Sequence, residues 1–358
     1  MKFVHIADMH FDCPFSSLTK KEDLGDVRRL EQRKIFKKII DYIKENDINY
    51  FLIAGDLYEH NYIRKSTIDY VNNLFEEFPN TKVFIAPGNH DPYIKDSYYA
   101  TYNWSPNVYI QKEKVGVYND EKVDFYLTAF NELYMNESPI ENIKIQNPNN
   151  INILLTHCDL NGNRDENGFS YNPILESKIK ALNFDYVAMG HIHKTNFEQN
   201  KSIIYPGSPI SFGFDELGEH GMVVGEINNG ILYTKFIKLD ERIFTKYELF
   251  VDNIFSQEEL IEKICDLKLD KKNMYEIVLV GNRQFDINAR DIQKLIYCEN
   301  ILKIKDNTKI GYDIEKIAQE NTLRGIFVRE IIKKYETVEY TEEQIKKAIE
   351  IGLEAIDN

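Results

Sequence analysis

Side chains able to bind metal ions recur directly after five apolar runs: Asp8 and His10 in ADMH, Asp56 in AGDLYE, Asn89, His90 and Asp91 in PGNHDP, His157 in THCD, and His191 with His193 in GHIH. A pair of divalent cations needs such a set: a carboxylate able to bridge, neutral imidazoles that leave net positive charge, and positions open to water and an anion. Asp-x-His and His-x-His put both side chains on one side of an extended segment, so both can face one cluster. Single pieces say little, since acid and histidine at a strand end are common and Asp after Gly is a frequent turn residue. GNHD says more, because a turn has no need of the histidine, and GHIH is similarly specific. His5, alone on an apolar strand, reads as structural. The ordered set of five reads as a dinuclear metal site, and Gly55, Gly88 and Gly190 are expected to let the chain turn sharply where the ligands are presented.

Those segments must each close a strand. KFVHIAD, YFLIAGD, KVFIAPGNHD, INILLTHCD and YVAMGHIH are short β-rich runs ending in polar or glycine-containing turns. Between the first two, Val27 to Glu45 carries Leu30, Ile35, Ile39, Ile40 and Ile43 at helical spacing, and a second helix is expected around Ser66 to Phe78. Alternating strand and helix predicts an α/β layer architecture whose parallel strands bring their carboxyl ends to one edge, where ligand crevices form. SIIYPGSP, HGMVVGEI and TKFIKL then finish the sheet in meandering strands or hairpins, giving an α/β sandwich. The polar stretch from Asn131 to Asn150 reads as a long surface excursion.

From about Phe244 a smaller α/β alternation restarts, its first helix opened by a capping box of Ser256 and Glu259. In the tail, Thr341 and Gln344 form another capping box. There Ile345, Ala348, Ile349, Gly352, Leu353 and Ile356 fall on one helical face. That stripe needs cover; packing on its own chain is the favoured reading and docking to a partner helix the alternative. The expected domains are 1–242, 243–312 and 313–358.

The 358 residues, 43% of them hydrophobic, are ample for a large core and an appendage. A net charge of −14 argues against coating nucleic acid by bulk electrostatics, although bound cations would still attract a single phosphate. Cys13, Cys158, Cys265 and Cys298 form no Cys-x-x-Cys pair, so neither a disulfide framework nor a zinc ribbon is suggested and a reducing compartment fits. The opening MKFVHIADMH has too short an apolar run for a signal-peptide core, and no run of 18 apolar residues occurs, so a cytoplasmic protein without a membrane span is expected.

The ordered set D-x-H, GD, GNHD, a single His after a strand, and GH-x-H resembles the calcineurin-like metallophosphoesterase superfamily over roughly residues 1 to 240. HIADMHFDCPF, YPGSPISFGFDELGEHG beginning at Tyr205, and TLRGIFVRE beginning at Thr322 are similar to the SbcD-type DNA repair exonucleases, in particular the bacterial YhaO branch. The resemblance implies that Asp8, His10, Asp56 and His193 bind one metal and that Asp56, Asn89, His157 and His191 bind the other, with Asp56 bridging. It implies that His90 stabilises the transition state or protonates the leaving oxygen, with Asp91 orienting its imidazole. It also implies manganese, with iron and zinc compatible with the ligands, and a DNA nuclease, 3′-5′ exonuclease or endonuclease, acting in repair. The 243–312 segment would then be a capping domain over the groove, and the partners a second copy of the chain and a coiled-coil ATPase of the SbcC type engaging the C-terminal helices. Several such nucleases carry a DNA-steering His three residues after the bridging Asp; this chain has Glu59 there, with His60 next. Phe11, Phe15 and Tyr58 read as core or rim packing, with base stacking as the alternative.

Two other readings stand beside this one. The acidic balance favours a phosphodiesterase acting on nucleotides or small molecules. A scaffold subunit that keeps its metals for stability and serves an ATPase is the other, although such a site would not need His90.

Overall fold

The computed structural model describes residues 1–15, 24–162, 168–335 and 340–357. The chain divides into two compact units, Met1–Phe244 and Thr245–Asn358. The stretches expected as 243–312 and 313–358 thus fall, but for the first two residues, in one unit.

The first unit begins with β1 (Lys2–Ile6), α1 (Leu24–Glu45), β2 (Tyr50–Ile53), α2 (Lys65–Glu76), β3 (Lys82–Ile85), the single turn α3 (Tyr98–Thr101) and β4 (Val108–Ile110). β1 to β4 lie side by side in parallel, with Phe3 opposite Tyr50 and Ile6 opposite Ile53. A second sheet follows from β5 (Val115–Asp120), β6 (Val123–Thr128) and β7 (Ile151–His157). After the short pair β8 (Asp159–Leu160) and β9 (Pro173–Ile174), and then α4 (Glu176–Ala181), it is completed by β10 (Tyr186–Gly190) and β11 (Ile203–Ile204). Its order is β11-β10-β7-β6-β5, parallel except for β5. The hairpin of β12 (Gly221–Asn228) and β13 (Ile231–Lys238) returns to the first sheet, β12 antiparallel to β1.

Alternation along the strands sorts side chains into layers. Phe3, Leu52 and Phe84 face Phe125, Leu155 and Ala188 between the sheets, while Val4, Ile53 and Val83 face the helices on the outer side. Ile35, Phe36, Ile39, Ile40 and Ile43 of α1 lie within 4% of full burial against that outer face. Leu30 is not among them: five residues before Ile35, it falls off the stripe and is 58% exposed. The 131–150 excursion is irregular but not wholly superficial, because a 3₁₀ turn at Pro139–Asn142, capped by Ser138, buries Ile140 and Ile143 on the second sheet.

The second unit contains β14 (Phe244–Phe250), whose first residue belongs to the first unit, α5 (Gln257–Cys265), β15 (Met274–Val280) and β16 (Asn282–Arg283). It continues through α6 (Ala289–Leu295), β17 (Ile301–Asp306), β18 (Lys309–Ile310), α7 (Ile314–Ala318), α8 (Leu323–Tyr335) and α9 (Glu342–Asp357). Ser256 accepts from the Glu259 N–H, while Glu259 reaches back to the Phe255 N–H, one residue short of a closed capping box. Thr341 and Gln344 do close theirs, each accepting from the other's N–H. The apolar stripe of α9 is covered by this chain: Ile349 and Leu353 pack with Ile317 of α7 and Val328 of α8. Gly352 is part of that contact, since a side chain there would collide with the Phe327 ring. Among the described residues, no helix is long and apolar enough to cross a membrane.

Candidate metal centre

Asp8, Asp56 and Asn89 follow β1, β2 and β3 on the first sheet, and His157 and His191 end β7 and follow β10 on the second. Because these strands run parallel within each sheet, their carboxyl ends place all five segments at one rim of the sandwich. The loops after β1 and β2 continue as a ladder, with the N–H groups of Asp8, His10 and Phe11 donating to the carbonyls of Gly55, Asp56 and Leu57. The Glu59 N–H then donates to the Phe11 carbonyl, setting Glu59 beside His10.

The imidazoles and carboxylates converge. Ligand atoms of Asp8, His10 and His193 lie within 4.8 Å of one another, as do those of Asp8, Asp56 and His157. His10 Nε2 is 3.0 Å from His193 Nε2, and His157 Nε2 is 3.0 Å from Asn89 Oδ1 and 3.3 Å from Asp56 Oδ2. The His191 ring lies 5.2 Å from that of His157, centroid to centroid, and its backbone N–H donates to Asp8. Asp8, His157 and Asp56 are at most 2% exposed.

Hydrogen bonding fixes what these groups can accept. His10 Nδ1 sits 2.8 Å from Glu59 Oε1, His193 Nδ1 3.0 Å from Glu216 Oε2, and His157 Nδ1 2.9 Å from the Ala54 carbonyl. With Nδ1–H donated in each case, every neutral ring keeps its lone pair on Nε2. Lone pairs then face one another at 3.0 Å, and meet carboxylate and amide oxygens, so the arrangement requires positive charge between them. Oxygen and imidazole donors of this kind suit a borderline divalent cation such as Mn, Fe or Zn. The residues fit a pair of such ions.

The electrostatics agree. Burial disfavours the charged form of His157, but Asp56 outweighs it and lifts the pKa to about 9. Burial likewise opposes, and Glu216 and Asp8 likewise prevail, at His193, lifted to about 8. Burial and the charge on His157 push His191 down to about 3. Asp56, though buried, is held well below the usual carboxylate range by His157 and His10. A field that draws protons onto imidazoles also draws divalent cations, which displace those protons on binding.

His90 stands apart, 46% exposed, with Nδ1 2.9 Å from Glu59 Oε2 and its backbone N–H on Asp56 Oδ1. Burial works against its charge, yet Glu59 and Asp56 raise its pKa to about 9. Asp91 does not touch that ring, which corrects the expectation from sequence: its fully buried carboxylate accepts from the N–H groups of Asp56, Leu57 and Gly88 and from the Tyr99 hydroxyl. Asp91 organises the loops, and Glu59 is the residue that orients His90. His60 points elsewhere, its Nε2 4.0 Å from Asp96. His5 is buried on the Tyr186 hydroxyl and the Met189 carbonyl, as its place on an apolar strand implies.

The glycines act differently from the sequence expectation. Of the three, Gly55 alone has positive φ, at 86°. Gly88 and Gly190 instead permit close approach: a Cβ would collide with the Asp56 carboxylate at Gly88 and with the Ala54 carbonyl at Gly190. The sharp turns fall on the candidate ligands themselves, with φ of 54° at Asp8, 48° at His10, 52° at Asp56 and 108° at His191. Such conformations cost roughly 1–3 kcal/mol each and cluster at functional sites. Phe11, Phe15 and Tyr58 are at most 4% exposed, which makes them packing residues. Sequence reasoning passed over Glu216, although it lies within the quoted motif from Tyr205, and Phe212, whose ring lies 5.4 and 5.5 Å from those of His10 and His193.

An α/β sandwich with this donor set at the strand ends defines a metal-dependent phosphoesterase. The model of the calcineurin-like phosphoesterase family matches residues 1–195, more than half of the chain, and the chain belongs to that family. It is thus a hydrolase of phosphate esters whose family binds divalent metals. The chain is 25% identical to the SbcD component of the nuclease SbcCD from Staphylococcus epidermidis over 276 residues, 67% of this chain and 70% of that one. It is 24% identical to YhaO of Bacillus subtilis, an uncharacterized metallophosphoesterase, over 289 residues, 76% and 69% of the two chains.

Proposed function

We propose that this protein is a manganese-dependent DNA nuclease, exonuclease or endonuclease, that cleaves phosphodiester bonds at a two-metal centre and works in repair with a coiled-coil ATPase of the SbcC type. The observation that carries the chemistry is the convergence of lone pairs from His10, His193, His157 and Asn89 on the carboxylates of Asp8 and Asp56. The similarity to a nuclease component over two thirds of the chain supports DNA as the substrate.

In this reading Asp8, His10, Asp56 and His193 hold one ion, and Asp56, Asn89, His157 and His191 hold the other. When bound, the two cations supply Lewis acidity toward the phosphate and lower the pKa of nearby water. Asp56, reached from both sheets, fixes the spacing of the two positions. His90, with Nδ1 engaged by Glu59, presents Nε2 to a substrate and donates a proton to the leaving oxygen. Glu59 thereby stands where a DNA-steering His would stand in several nucleases, and its carboxylate is occupied by two imidazoles. The 243–312 segment restricts access to the groove, the protein forms a homodimer, and the C-terminal helices take the ATPase. Because Ile349 and Leu353 are already buried, that partner must meet the outward residues, among them Leu323, Ile326 and Ile351, which are more than half exposed.

The test is purified protein with Mn on bis-p-nitrophenyl phosphate and on end-labelled single- and double-stranded DNA, beside the His90→Ala variant. Cleavage of both substrates, lost in the variant, is the expected result. Ester hydrolysis without DNA cleavage, with or without a cognate ATPase, would favour the second reading, a nucleotide or small-molecule phosphodiesterase, which the net charge of −14 supports. Absence of both activities beside tight ATPase binding would favour a scaffold.

A further inference from the structure

We propose that Glu59 and Glu216 make the two metal positions unequal, so that the position of Asp8, His10 and His193 takes its ion first and more tightly. This rests on the ligand assignment above and goes beyond it, since it concerns residues outside the ligand set.

Glu59 Oε1 lies 2.8 Å from His10 Nδ1 and Glu216 Oε2 lies 3.0 Å from His193 Nδ1. Both carboxylates are largely withdrawn from water, at 15% and 11% exposure, so their charge is weakly screened. Each is also fixed. Glu59 is set by its backbone bond to Phe11, with its second oxygen on His90. Glu216 Oε1 accepts from the Phe212 N–H and Oε2 from the Ser208 hydroxyl, while the Glu216 carbonyl meets His220 Nε2 at 2.9 Å.

Behind the other position no carboxylate of the described residues is hydrogen-bonded to an imidazole, the nearest being Asp8, 4.0 Å from His157 Nδ1. His157 Nδ1 donates to the Ala54 carbonyl, and the His191 ring lies against those of His157 and Tyr171. Among the described residues, no carboxylate from outside the ligand set hydrogen-bonds to either ring. The first position therefore combines Asp8 and the shared Asp56 with two further anions one imidazole away, whereas the second has Asp56, the neutral Asn89 and, 4.0 Å behind His157, Asp8. A carboxylate behind a ligating imidazole raises its basicity and fixes its tautomer, and losing such a partner weakens metal binding roughly ten- to hundredfold. Glu59 has a second consequence as a positioning residue: its two oxygens tie His90 to the same imidazole that holds the first ion.

The measurement is calorimetric titration of the metal-free protein with Mn at fixed pH, with Mn paramagnetic resonance at one equivalent. The wild type is expected to bind in two resolved steps about tenfold or more apart, and to give the signal of an isolated ion at one equivalent. Glu216→Gln and Glu59→Gln should each weaken the tighter step roughly ten- to hundredfold and leave the weaker one in place. At one equivalent they should give a mixture containing coupled pairs. Asn89→Ala should remove the weaker step alone. Thermal melts of the metal-free variants check folding, and because Glu59 is anchored through its backbone, Glu59→Gln carries the test if Glu216→Gln melts early. Two steps that stay where they were in both variants, or a loss confined to the weaker step, would overturn the inequality while leaving the two-metal reading intact. A wild type that takes up no Mn would overturn that reading and this inference together.

Discussion

In the first unit thirteen described residues other than glycine adopt positive φ, among them Asp8, His10, Asp56 and His191, whereas in the second unit Gly281 is the one described residue that does. Three helices of the second unit, α5, α6 and α7, open on Ser256, Asn288 and Asp313, each accepting a backbone N–H as an N-cap should. Its core is apolar side chains from α5, α6 and the sheet β14-β15-β17, and its buried Glu276 is paired with Lys246 and Lys303. The first unit instead buries Asp8, Asp56, Asp91 and His157 almost completely. A chain that satisfies local preferences in one unit and violates them at one rim of the other locates the chemistry by the violation.

Four measurements bear on that contrast. Asp56→Ala should have the largest effect, abolishing tight Mn binding and turnover; a calorimetric titration like that of the wild type would show that Asp56 does not bridge. His90→Ala should lower kcat by roughly 10²–10⁴-fold while the Mn titration is unchanged, and loss of metal would make His90 a ligand. Leu353→Ala, in the second unit, should cost about 2–5 kcal/mol in denaturant unfolding with Mn binding in the first unit preserved. A joint loss would mean that the contrast between the units does not extend to their stability.

The smallest effect concerns acid. His5 is held at about 3 by burial, against an ordinary value near 6.5, so the native state refuses a proton that the unfolded chain accepts. Its contribution is therefore complete above about pH 6.5 and is lost as the pH falls toward 3. Replacing it by Asn should flatten the decline of metal-free stability in that window by up to about 1.4 kcal/mol per pH unit. Parallel pH profiles for the two proteins would refute this.

The strand ends and their ligand types were legible because each lies within a few residues of a buried apolar run. β4 and β5 were not, since Val108–Ile110 is too short to show a period and the Val115–Asp120 strand is only partly buried. Contacts between loops distant in sequence were equally hidden. Glu59 stood out as an unexpected residue at its position, yet nothing local tells that it reaches His10, 49 residues away, and His90, 31 residues away. The resemblance implied that Asp91, next to His90 in sequence, orients its imidazole, a partnership that the backbone geometry does not make. Gly88 and Gly190 look like turn residues in one dimension and are clearance residues in three.

Asp56 belongs to the first sheet and His157 to the second, and the bond from His157 Nδ1 to the Ala54 carbonyl already crosses between them. Ions held by both, as the proposed ligand set has it, would rivet the two layers. Binding to the folded chain alone adds RT ln(1 + [M]/Kd), about 2.7 kcal/mol at a hundred times Kd. The melting temperature of the first unit thus becomes a gauge of how much free metal surrounds it.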